Sequence, residues 1–159
     1  MNYVVDSYEN YKEENRLTTN NARRIEFVTT TRVLDEIIGT NSKILDCAAG
    51  TGIYAFWFAD KGHDVTATDI TPRHIDIINR TLTNKNYHMN TSVLDATDMS
   101  CFADDSFDIV LNMGPFYHLI TEEQIEKKQY EMQLKQDGIE TIHKYGIACY
   151  KKKCRVLRG

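Results

Sequence analysis

Between Lys43 and Gly62 the chain reads KILDCAAGTGIYAFWFADKG, and no other stretch constrains the fold as strongly. Lys43 to Cys47 is apolar enough for a central strand buried on both faces. The small residues that follow leave room for a tight turn, and Ile53 to Lys61 gathers Tyr54, Phe56, Trp57, Phe58 and Ala59 into a short helix that Gly62 closes. A buried strand passing through glycine directly into a helix is the opening of a doubly wound sheet.

The pattern continues on both sides. Residues 22 to 38 carry Ile25, Phe27, Val28, Val33, Leu34, Ile37 and Ile38 at helical spacings, with Gly39 where a helix would end. His63 to Asp69 reads as a second strand, and Thr71 followed by Pro72 as a helix N-cap with proline at the first helical position. Ile75, Ile78 and Leu82 give that helix one apolar face. A third strand is expected at Thr91 to Leu94, ending in Asp95, and a fourth at Phe107 to Asn112, ending at Gly114 and Pro115. With right-handed crossovers this alternation predicts an α/β, Rossmann-like doubly wound parallel sheet with helices on both faces and a ligand site at the carboxyl ends of the strands. Thr121 to Arg158 is strongly polar and reads as two helices broken near Asp137 and Gly138, its Glu and Lys run being a solvated face.

With 159 residues the chain builds one core. The expected division is a flexible segment over residues 1–21, which lacks apolar periodicity, and one domain over 22–159. Nineteen Lys and Arg against twenty-three Asp and Glu give a net charge of -4, so no overall positive field holds a phosphate backbone and nonspecific nucleic-acid binding is disfavoured. The mean hydropathy is -0.47, and no apolar run approaches the ~20 residues a bilayer requires. The first residues do not read as a secretion signal, and a cytoplasmic location is expected. Cys47, Cys101, Cys149 and Cys154 form no CxxC pair, which suits reduced structural thiols. His63, His74, His88 and His143 fall on turns or polar helix faces and read as surface histidines, and no metal is implied.

Acidic or glycine features stand at the expected carboxyl ends of four successive strands: Asp46 with Gly50 and Gly52, Asp69, Asp95, and Asn112 with Gly114. The glycine turn lets backbone approach a ligand closely, with the N–H groups of a helix start exposed. Asp69 follows Gly50 by nineteen residues and ends strand two, where a carboxylate accepts hydrogen bonds from both hydroxyls of a ribose. Asp95 and Ala96 offer one acceptor and one backbone donor to an adenine edge, with Ile70 and Met99 as apolar contacts. Tyr117 and His118, just after strand four, are the candidate catalytic side chains for touching an acceptor.

The ordered set ILDCAAGTG, VTATDIT, VLDATDMS and FDIVLNMGPFYHL resembles the motifs of class I S-adenosylmethionine-dependent methyltransferases, especially the UbiE-like, small-molecule methyltransferase-domain branch. The resemblance runs from about Arg16 to Leu119 and resumes at CRVLRG. It implies S-adenosylmethionine as cofactor and methyl transfer to a small-molecule acceptor. It also implies that Asp46 and the glycine turn face the methionine part, Asp69 the ribose, Asp95 and Ala96 the adenine, and the turn Asn112, Met113, Gly114 the methyl-donor side. Ala48 stands where many members have glycine. Tyr11 and Arg16 resemble positions that form a lid over the donor.

A nicotinamide dehydrogenase competes, because Gly50, Gly52 and Ala55 also satisfy GxGxxG/A. Electrostatics favours the methyl donor: Asp46 would repel a pyrophosphate at this turn but attract a sulfonium and an ammonium. The resemblance also leads one to expect a short helix after GPFYHL and three more strands, two of them an antiparallel hairpin at the sheet edge, whereas CRVLRG ends the sequence. The expectation is therefore an incomplete domain with its C-terminal strands missing, whose fourth strand is either covered by the C-terminal segment or pairs with a second copy. A donor-binding remnant without catalysis, serving as an interaction module, is the alternative function.

Overall fold

The computed structural model describes residues 21–113, 140–144 and 147–151. Helix α1 spans Asn21–Ile37, strand β1 Lys43–Cys47, helix α2 Ile53–Asp60, strand β2 Asp64–Asp69, helix α3 Pro72–Leu82, strand β3 Met89–Val93 and strand β4 Ile109–Asn112; β5 (Glu140–Lys144) and β6 (Ile147–Lys151) follow. The strand order is β3-β2-β1-β4-β6-β5. Pairing is parallel between β1 and β2, β1 and β4, and β2 and β3, which is the Rossmann-like core expected from the alternation.

Burial explains the order. All but Lys43 of β1 is buried, as a strand in the middle of a sheet requires. Its start is locked to β4 by the Lys43 N–H donating to Asp108 Oδ2 at 2.8 Å and the Asp108 N–H donating to the Lys43 carbonyl at 2.9 Å. Successive residues then serve opposite faces. Ile44, Val65, Ala67, Ile109 and Leu111 join Leu34 of α1, Tyr54 and Phe58 of α2, and Ile75 and Ile78 of α3 in the main core. Leu45, Cys47 and Val110 face the other way, against Ala96, Met99, Phe102 and Phe107 of the segment between β3 and β4. Among the described residues, then, the helices lie on one face. Leu82 packs beside Ile75 and Ile78, so the expected face of α3 holds. On α1 it holds only in part, because Ile25 and Val28 are exposed by 62% and 61%.

Beyond β4 the sequence expectation is corrected. Two helices were expected over Thr121 to Arg158 and no further strands; instead β5 and β6 form an antiparallel pair, and β6 lies antiparallel along β4, Leu111 opposite Cys149. The physical reason is the edge itself: unpaired donors and acceptors on β4 are a template for another strand, and β6 fills it. Two of the three strands expected from the resemblance are thus present, and the neighbour of β4 is antiparallel. No helix among the described residues is long and apolar enough to cross a membrane.

Candidate donor-binding site

The turn after β1 is built from left-handed backbone. Ala48, Gly50 and Gly52 have φ of 60°, 57° and 84°, a region easy for glycine and strained by about 1–2 kcal/mol for alanine. At Gly52, which caps α2, a Cβ would also meet Ile78 Cγ1 at 2.9 Å, so this position excludes a side chain twice over. The turn is tied to β2 by the Ala49 N–H donating to the Thr68 carbonyl at 2.8 Å.

Asp69 is the hub. Its Oδ2 accepts the Gly50 N–H at 2.8 Å, its Oδ1 accepts the Thr71 N–H at 2.8 Å, and His74 Nδ1 lies 3.2 Å from Oδ1. Burial raises this carboxyl's pKa, but the hydrogen bonds from His74, Thr71 and Gly50 outweigh it and hold the group below the usual carboxylate range. The Gly50 N–H, in the turn before the helix, is used within the protein. Thr71 is the N-cap of α3 as expected, yet its hydroxyl makes no capping bond; the carboxylate of Asp69 accepts the Thr71 N–H and so fixes the residue at the helix entry.

Asp46 is buried like Asp69 but differs in its partners and in the direction its pKa moves. It is 2% exposed, receives a backbone hydrogen bond from Ala55, and its Oδ2 has no partner. Burial first and the neighbouring charge of Asp69 second raise its pKa to about 7. Two further buried polar atoms flank this end of the sheet without partners, Thr68 Oγ1 on β2 and Asn112 Oδ1 on β4, at positions that both pair with Cys47. Buried polar atoms are normally satisfied, and these three lie at the carboxyl ends of three adjacent strands, Asp46 on the helix-covered face of the sheet and Thr68 and Asn112 on the other.

At the end of β3, Asp95 is exposed and its Oδ1 accepts both the N–H and the hydroxyl of Thr97 at 2.8 Å. That bond shapes the loop carrying half-buried Ala96 and Met99, while Ile70 and Met113 are half-buried at the ends of β2 and β4. The structure therefore gathers Asp46, Ala48, Gly50, Gly52, Asp69, Ile70, Asp95, Ala96, Asn112 and Met113 along the carboxyl ends of β1 to β4 and the turns that follow them. Tyr11, Arg16, Tyr117 and His118 lie outside the described residues.

Two histidines are corrected. His63 and His74, expected at the surface, are 7% and 2% exposed. His63 Nδ1 accepts the Ser42 N–H at 3.1 Å, which makes it a structural residue of the β2 start; burial and nearby Lys61 lower its pKa. His74 belongs to the site, and the signal that would have found it was its place in the first turn of α3, five residues past Asp69. Thr68 and Thr71 were missed because a threonine in a strand or at a cap reads as propensity alone.

The sequence model of the family described as Methyltransferase domain matches residues 44–138, more than half of the chain. No curated protein matches the sequence. Among solved structures, the N-methyltransferase NodS from Bradyrhizobium japonicum WM9, in complex with S-adenosyl-L-homocysteine, is similar with a TM-score of 0.70 and 15% identity, over 93% of this chain and 97% of that one. The PH0226 protein from Pyrococcus horikoshii OT3 is similar at 0.61 and 15% identity, over 93% and 99%. The [4+2]-cyclase SpnF is similar at 0.56 and 18%, over 69% of this chain and 41% of that one. At these identities the likeness is one of fold.

Proposed function

The chain belongs to the methyltransferase-domain family of S-adenosylmethionine-dependent enzymes, and from that premise we propose that it binds its donor along the carboxyl ends of β1 to β4 and methylates a small molecule. The observation that carries this reading is Asp46: a buried carboxyl with an unpartnered Oδ2, beside a second carboxylate, at the mouth of the glycine turn. A cation relieves that arrangement and a pyrophosphate aggravates it. The residues present thus fit an ammonium and a sulfonium.

Bound there, the donor supplies an electrophilic methyl carbon. Asp46 holds the positive methionine part, and Asp69 accepts from a ribose hydroxyl through Oδ2 while keeping the glycine turn and the start of α3 in place. Asp95 and the Ala96 N–H take the adenine edge, with Ile70 and Met99 against its faces. Asn112 and Met113 line the methyl side. In-line displacement needs no covalent link to the protein, so the protein's contribution is alignment and exclusion of water. Tyr117 and His118, next along the chain, are proposed to meet the acceptor, and Tyr11 and Arg16 to close over the donor. A small acceptor fits the net charge of -4, which offers no field for a polyanion.

The likeness to a [4+2]-cyclase is a reminder that this fold also serves other chemistry, so the test begins with the ligand. Titration calorimetry with S-adenosylhomocysteine and with NAD should show binding of the first only. Equal or tighter NAD binding overturns the proposal. A chain that binds donor but yields no demethylated product with any small nucleophile would be the donor-binding module instead.

A further inference from the structure

His74 stands in the first turn of α3, almost fully buried, with its Nδ1 3.2 Å from Asp69 Oδ1. The Asp69 carboxyl is held below its usual pKa range, so it is ionised at neutral pH and can only accept. The proton in this contact therefore sits on His74 Nδ1. A carboxylate offers about four lone-pair sites, two on each oxygen. Thr71 and His74 both engage Oδ1, whereas Gly50 alone engages Oδ2, which leaves acceptor capacity on the oxygen facing the glycine turn.

We propose that His74 is a positioning residue for the donor's ribose: by donating from Nδ1 it occupies Oδ1 of Asp69 and keeps Oδ2 turned toward the glycine turn, its remaining acceptor site free for a ribose hydroxyl. This rests on the reading that Asp69 receives the ribose. It goes further in assigning the orientation of that carboxylate to a side chain rather than to the backbone alone. A histidine that merely fills space at the start of α3 would support the fold and leave ligand selectivity untouched.

The test compares S-adenosylhomocysteine with its 2′,3′-dideoxy analogue, using the full chain. The wild type should prefer the ribose form by about tenfold or more, as expected for hydrogen bonds to a charged acceptor. His74→Leu, which fills the space without a donor, should erase most of that preference, and His74→Asn, whose amide nitrogen reproduces the Nδ1 donor, should restore it. A preference unchanged in His74→Leu overturns the inference while leaving Asp69 as the ribose acceptor. No preference in the wild type overturns the ribose reading itself, and the inference with it. Should His74→Leu fail to fold, nitrogen-15 spectra of the wild-type imidazole decide: a proton on Nδ1 is required, and a neutral ring protonated on Nε2 overturns the proposal.

Discussion

At the scale of single residues, Asp46 and Asp69 show how one side-chain type takes opposite roles. Asp69 is satisfied by three donors and ionised; Asp46 has the poorer set and is pushed up to about 7. Between about pH 4 and pH 7 the folded protein then holds a proton on Asp46 that the unfolded chain has lost, so ligand-free stability declines as pH rises through that window. Asp46→Asn should raise the Tm at pH 8 relative to wild type and change it little at about pH 4, while weakening donor binding. A Tm difference independent of pH would contradict this origin. Donor affinity of the wild type should rise with pH through about 7, as the anion that pairs with the donor forms, and calorimetry on Asp46→Asn should show that rise abolished. Asp69 carries the reverse sign: its stabilisation is present above the usual carboxylate range and is lost as pH falls through its depressed pKa. Asp69→Ala should weaken donor binding by about 1.5–3 kcal/mol, measured by titration. Ala48 sits at φ 60°, so Ala48→Gly should stabilise the chain by about 0.5–1 kcal/mol in denaturant melts, the relief of left-handed strain exceeding the entropy that glycine adds to the unfolded state.

At the scale of elements, what a residue contributes depends on the face its element buries. Leu111 in β4 is fully buried between the sheet and the helices, and Leu111→Ala should cost about 2–5 kcal/mol. Ile25 in α1 is as apolar and shares the helical period, but it is largely exposed; Ile25→Ala should change stability by about 0.5 kcal/mol or less. Urea unfolding of the pair checks both values. Comparable losses would mean that α1 packs on a different face from the one described. Periodicity located α1 to within one residue at each end, because spacing sets the helix, yet it overestimated the apolar face, because only neighbours decide which apolar residues are covered.

At the scale of the whole molecule, β6 lies along the edge of β4. That pairing joins segments about thirty-six residues apart, from Asn112 to Ala148, and closes an edge that would otherwise attract another strand. A chain ending at residue 139 should therefore self-associate, whereas the full chain should not do so through β4; light scattering on the two distinguishes them. The cue for the hairpin was present but weak. ETIHK and IACYK flank Tyr145 and Gly146, a two-residue spacing ending in glycine, and the β-branched residues Thr141, Ile142 and Ile147 favour strand. The Glu and Lys run before them suggested helix, and local composition does not register an open edge elsewhere in the sheet.

The sequence by itself determined β1 to its end residues, the turn, the parallel core and the line of polar residues along its carboxyl end, because these follow from local rules: buried strands are continuously apolar, tight turns need small residues, and crossovers have one hand. Only the tertiary structure decided that Gly50 spends its N–H on Asp69, that Asp46 is left with an unpartnered oxygen, that His63 and His74 are buried, and that β6 completes the sheet. These are properties of pairs distant in sequence, and hydrogen-bond satisfaction, burial and edge pairing exist only once both partners are in place.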